Sequence, residues 1–154
     1  MSTDARRIFA TLIAPTRPRP SLRPTAPHDP SLTSAIEALP DGAPLRAALH
    51  LLNDDIGSAH AVAQANEGAR TADYVHAQLH RREGDYWNSK WWISSGMRRA
   101  HPVMERVHGS AAGAARFVDL CAAVGAGKSE GGELEERQWE EMRATAEWAL
   151  EHDA

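Results

Sequence analysis

Asp73, His76, His80 and Glu83 are spaced three, four and three residues apart. At about 100° per residue, that spacing places all four on one face of a helix. Two imidazoles four residues apart can chelate a single divalent ion, and a carboxylate one turn later can supply a third ligand. His76, His80 and Glu83 are therefore the candidate metal ligands, and a divalent metal is the cofactor they imply. His60, with His50 and Asp54, belongs to a preceding hairpin that could fold back towards them.

Two stronger forms of this chemistry are excluded. The zinc-protease helix carries H-E-x-x-H, but here Ala77-Gln78-Leu79 separate the histidines and the glutamate general base is missing. Di-iron bundles repeat a Glu-x-x-His pair on two helices, and no such repeat occurs. The plain alternative is a solvated helix with an acid at each end and its histidines bonded to neighbours.

The same stretch continues as Arg81-Arg82-Glu83-Gly84-Asp85-Tyr86-Trp87-Asn88-Ser89-Lys90-Trp91-Trp92. Arginines in a last turn, a glycine suited to the left-handed C′ position and an aspartate cap predict one helix ending and another starting at once. Trp87 and Trp91 at i, i+4 are expected to face the core, with Ser94 and Ser95. Asn88 and Trp92 form the neighbouring stripe, with Tyr86 and Lys90 beyond it. Three of the five tryptophans fall here. Beside Arg81, Arg82 and Lys90 they could make a surface for an anionic or planar ligand. The alternative is that the arginines satisfy the helix end and pair with Glu83 and Asp85. The candidate polar site is thus His60, Asp73, His76, His80, Arg81, Glu83, Asp85, Asn88 and Lys90.

The elements that must position these residues are helical. Pro44 suits a first helical turn, and Leu45, Leu49 and Leu52 make one apolar stripe. Arg46, His50 and Asp54 form the polar stripe beside it. Asp54-Asp55 can cap a helix carrying Ile56, Ala59, Val62 and Ala63 inward, and Thr71 can cap the helix of His76 and His80. His101-Pro102 ends or kinks the tryptophan helix. A helix follows from about 110 to 124, then a glycine-rich loop. The last helix, from about 133 to 151, presents Trp139, Met142, Ala146 and Leu150 on one side. Alternating apolar residues are missing, so no strand is expected.

The reading is all-α: a compact bundle of helical hairpins over residues 31–152. Residues 1–30 precede it as a basic, proline-rich arm expected to be disordered. Six of the nine prolines lie between positions 15 and 30, which excludes helix there.

At 154 residues and a formal charge of −4, the chain fits one domain and shows no basic excess pointing to nucleic acid. No apolar run reaches the roughly 18 residues of a membrane span. The single cysteine, Cys121, allows no internal disulfide, and its apolar neighbours suggest an inert buried thiol in a reducing, cytoplasmic setting. The alternative for the basic start around Arg6-Arg7 is a weak organelle-targeting segment. Ala122–Ser129, AAVGAGKS, mimics a phosphate-binding loop, but a helix precedes it where that loop requires a strand.

Two resemblances complete the reading. Gly84-Asp85-Tyr86 followed by Trp91-Trp92 and Gly96 resembles one hairpin of tetratricopeptide or Sel1-type repeats, which implies a helical hairpin. Over residues 49–102 the pattern is fuller. It comprises Leu49-His50-Leu51-Leu52-Asn53-Asp54-Asp55, Ala59-His60, Tyr74-Val75-His76-Ala77-Gln78-Leu79-His80-Arg81-Arg82-Glu83-Gly84-Asp85-Tyr86, Asn88-Ser89-Lys90-Trp91-Trp92 and His101-Pro102. It is similar to an uncharacterised family of small bacterial and fungal helical proteins, and this implies domain limits without an activity. Two functions follow as expectations. One is a module binding a protein or small-molecule ligand. The other is a metal-dependent or small-molecule enzyme centred on His60, His76, His80 and Glu83.

Overall fold

The computed structural model describes residues 2–128 and 130–154, and within them all regular structure is helical. The helices are α1 (Thr3–Leu12), α2 (Leu32–Glu37), α3 (Ala43–Leu52), α4 (Ile56–Ala65), α5 (Arg70–Glu83) and α6 (Tyr86–Trp91). A π-helical turn (Trp92–Gly96) comes next, followed by α7 (Pro102–His108), α8 (Ala111–Gly125) and α9 (Gly132–His152). None of these helices is long and apolar enough to cross a membrane.

Several ends follow from local chemistry. Asp55 caps α4 by accepting from Ser58 N–H at 3.2 Å. Gly84 closes α5 at φ +86°, a conformation that a Cβ makes unfavourable. Asp85 then caps α6 through Asn88 N–H at 3.3 Å. The caps at Asp54 and Thr71 are corrected. Asp54 takes a left-handed conformation (φ +58°) before the cap. Thr71 lies inside α5, which starts one residue earlier.

The leucine stripe of α3 packs on α4, α5 and α9. Leu45, Leu49 and Leu52 form a core with Val75, Leu79, Trp139, Met142 and Ala146. A second cluster joins Tyr74 and Ala77 of α5 to Trp92, Ile93, Val103, Met104 and Val118.

Helix α5 sits between the two clusters, and every residue from Thr71 to Arg82 is buried. The solvated-helix alternative is therefore overturned: a polar sequence occupies the centre of the fold. Buried polar groups need partners, and most of this helix has them. Gln78 Nε2 donates to Thr145 Oγ1 at 3.1 Å. Arg82 donates to Leu51 O at 3.1 Å, Ser21 O at 3.3 Å and Asp54 Oδ1 at 2.7 Å.

The first thirty residues, read from composition as a basic, proline-rich arm, make contacts along the domain. Helix α1 buries Ala5, Ile8 and Leu12 in the α3 core. The proline-rich stretch after it is non-helical, as its prolines require. Arg17 crosses from it to Leu52 O at 2.7 Å and Asp54 Oδ2 at 3.0 Å. Asp29 and Asn53 exchange two hydrogen bonds, Asp29 N–H to Asn53 Oδ1 at 3.0 Å and Asn53 Nδ2 to Asp29 O at 2.9 Å. The prolines remove backbone donors, and the domain meets carbonyls of the stretch with side chains of its own: Arg82 and Gln138 donate to Ser21 O, and Asn53 to Asp29 O.

The tryptophan register is also corrected. Trp87 and Trp91 face outward, 75% and 42% exposed, while Ser89, Trp92 and Ile93 are buried. Ser89 Oγ anchors α6 by donating to Ala77 O at 2.6 Å. The π-helical turn then holds Trp92 against Gly96, where a Cβ would collide with its ring.

Candidate functional site

The α4–α5 hairpin brings His60 to His76 and His80. Ring centroids stand 5.0 Å apart for His60–His76, 5.3 Å for His60–His80 and 4.8 Å for His76–His80. A ligand nitrogen from each lies within 4.8 Å of the others. Nitrogens bound to one tetrahedral ion at 2.0–2.1 Å stand about 3.3 Å apart. The nitrogens thus lie within 4.8 Å of one another, wider than that ideal spacing, and would have to draw together to close on a metal.

The electrostatics suit a neutral imidazole at His76. Burial, then His80 and His60, push the His76 pKa down to about 4, so the ring is neutral at pH 7. Its Nδ1 is buried without a hydrogen-bond partner, and its face stacks on Trp92 at 4.1 Å. His80 Nδ1 lies 2.6 Å from Glu83 Oε1. That contact orients the ring and leaves Nε2 as its free nitrogen, an outer-shell arrangement common behind metal-bound histidine. Glu83, which the sequence suggested as a ligand, is thus the hydrogen-bond partner of His80, and it also stands with His80 and Asp85 in a second group of potential ligand atoms within 4.8 Å of one another. His60 is half-buried, so the group reaches solvent on the α4 side.

The remaining candidates divide among other tasks. Asp85 also approaches His80 and Glu83, but its carboxylate caps α6 and meets Asn88 Nδ2 at 3.3 Å. Asp73 accepts from Gly68 N–H at 3.0 Å at the start of α5, and burial raises its pKa. Lys90 pairs on the surface with Asp119 at 2.9 Å. Arg81 and Arg82 pair with neither Glu83 nor Asp85; their carboxylates are Glu141 and Asp54. His50 and Asp54 stay out of the imidazole group. His50 Nδ1 stands 3.9 Å from Asp55, and Asp54 bridges Arg17 and Arg82. Ser129, the end of the phosphate-loop mimic, lies outside the described residues, while Ala122–Gly125 form the last turn of α8.

Sequence reading missed a second buried polar centre. Glu141 accepts from Arg81 Nη2 at 2.7 Å, from His108 Nε2 at 2.6 Å and from the Tyr74 hydroxyl. Burial alone would raise its pKa, but Arg81 and His108 hold it far below the usual carboxylate range. The available signal was the stripe Gln138, Glu141, Thr145 at i, i+3, i+7, which lies beside the apolar face of α9 and is equally buried. His101 was also missed. Its Nδ1 accepts from Val103 N–H at 3.1 Å, so Nε2 carries the proton towards Thr71 Oγ1 at 3.2 Å. Thr71 in turn donates to Asp153 at 2.7 Å. Both centres join distant parts of the chain through buried hydrogen bonds: Glu141 links α5, α7 and α9, and His101 and Thr71 link the start of α7 to α5 and Asp153.

No known family profile, curated protein or solved structure matches this chain.

Proposed function

We propose that this protein binds a divalent transition-metal ion through His60, His76 and His80, with Glu83 orienting His80. The observation that carries this reading is the convergence of three imidazoles from two helices, a nitrogen of each within 4.8 Å of the others. Imidazole sets without thiolate suit zinc, nickel or copper over magnesium or calcium. Three protein ligands leave a coordination position for water or an outside ligand, unlike a closed structural centre. Bound there, such an ion supplies a Lewis acid and an acidic water.

The residues that resemble small bacterial and fungal helical proteins include all three imidazoles, and the same site is expected wherever that stretch recurs. The buried lone Cys121 supports a reducing, cytoplasmic location. The outward Trp87 and Trp91 speak for a separate binding role of the α6 surface.

The test is zinc titration of metal-stripped protein by calorimetry, with elemental analysis of the product. Wild type is expected to hold one equivalent and a His76→Ala/His80→Ala protein none. Glu83→Gln should weaken binding about 10- to 100-fold, as outer-shell substitutions do. Equal sub-stoichiometric zinc in wild type and double mutant would remove the proposal.

A further inference from the structure

Between α6 and α8 lies a surface cavity of about 420 Å³, lined by Tyr86, Trp87, Lys90, Trp91, Ser94 and Asp119. None of these belongs to the imidazole group. The 75% exposure of Trp87 is unusual, because tryptophan is on average a highly buried residue. The register of α6, set by the burial of Ser89, Trp92 and Ile93, holds both indoles outward.

The shape and charge of the lining select among occupants. Trp87 and Trp91 stand at i, i+4 on one helix, so their rings neighbour one another along a single face. The aromatic lining, Tyr86 included, all comes from α6, and α8 contributes the Asp119 carboxylate, so the lining lacks the facing rings of an aromatic cage for an ammonium group. A flat heteroaromatic ligand would cover only one of its own faces there. An anion would meet Asp119 on a chain whose formal charge is already −4. Lys90 and Asp119, 2.9 Å apart and both substantially exposed, make a formally neutral rim with a donor beside an acceptor. The matching ligand has one apolar face and a rim of adjacent hydroxyls, each able to donate and accept. A pyranose ring has this form: its axial C–H bonds present an apolar face and its hydroxyls surround it.

We infer that the α6–α8 cavity binds a neutral carbohydrate, with a sugar ring stacked on Trp87, beside Trp91, and neighbouring hydroxyls bridging Lys90 and Asp119. This site stands on residues separate from the proposed metal site, so either can fail alone.

The experiment follows the five indole N–H signals of the full chain by NMR. Cellotriose, maltotriose and chitotriose are titrated separately, with adenosine and tetramethylammonium as competing ligand classes. At least one trisaccharide is expected to shift the Trp87 and Trp91 signals saturably. Trp87→Ala should abolish the response with the far-ultraviolet dichroism unchanged, which its exposure permits. Lys90→Ala should weaken binding about fivefold, the loss of one hydrogen bond. The inference is overturned by any of four results: no trisaccharide response, a response that survives Trp87→Ala, tighter binding of adenosine or tetramethylammonium through the same signals, or signals that change only with protein concentration. The last would make this face a contact between copies of the chain.

Discussion

Trp92 lies face to face on His76, with ring centroids 4.1 Å apart and planes inclined by 22°. The stack shields one side of the imidazole group and leaves the His60 side as the path to solvent. It also places one indole of five directly against a proposed metal ligand.

A copper ion held by the imidazoles would therefore quench Trp92 more than any other tryptophan. Cu²⁺ titration should reduce the fluorescence saturably at one equivalent. Trp92→Phe should remove the largest share of that loss, and His76→Ala/His80→Ala nearly all of it. Quenching of equal depth in Trp92→Phe would place the ion elsewhere. Gly96→Ala provides an independent check. Its Cβ would collide with the Trp92 ring, so the substitution should displace the stack and weaken both quenching and metal binding.

Two buried histidines give the fold a defined response to acid. Burial, then His80 and His60, push His76 down to about 4. Burial, then Arg70, push His101 down to about 3. Both are thus neutral in the folded chain near pH 7, while an unfolded histidine titrates near 6.5. Below that value the unfolded state binds more protons, so stability falls with pH. The contribution is complete above about pH 6.5 and declines towards pH 4 for His76 and pH 3 for His101. Urea denaturation across pH 8 to 4 should show this decline, and His101→Gln should flatten its slope while lowering stability at neutral pH. A slope unchanged by His101→Gln would mean that the ring is protonated in the folded state.

What was legible in the sequence was local. The leucine stripe of α3, the Asp55 cap and the Gly84-Asp85 break each depend on residues within one or two turns, and the structure has them as read. The pairing of His76 with His80 is likewise a property of one helix. Long-range relations were not legible. Arg82 finds Asp54 across 28 positions and Arg81 finds Glu141 across 60, so nearby Glu83 and Asp85 looked like the natural partners. The facing of Trp87 and Trp91 failed for a related reason. A residue of period 3.6 tells which side chains share a stripe, but which stripe faces inward was settled by Ser89 reaching Ala77 O on α5. The proline-rich stretch reads as an arm by composition alone, because the contacts of its Arg17 with Leu52 O and of its Asp29 with Asn53 become visible only in three dimensions.

Glu141 offers the sharpest test of how a polar helix is kept at the centre of the fold. Its carboxylate is 1% exposed and is shared by Arg81, His108 and Tyr74, so α5, α7 and α9 meet through one side chain. Removing one member of such a group leaves buried charge without compensation, at a cost of about 3–5 kcal/mol. Glu141→Ala is expected to lose that amount in guanidinium denaturation. Glu141→Gln keeps the shape and part of the hydrogen bonding, so it should lose less. An apolar replacement of both ion-pair partners, Arg81→Met with Glu141→Met, should recover only part of the loss: the pair itself gains little over well-packed apolar side chains, but His108 and the Tyr74 hydroxyl stay buried without their acceptor. A loss below about 1 kcal/mol in Glu141→Ala would show that Arg81 and His108 find other partners or water, contrary to the enclosed geometry. If the double replacement is instead worse than either single one, packing around Phe117, over which the Arg81 guanidinium lies at 4.7 Å, contributes as much as charge to holding α5 in place.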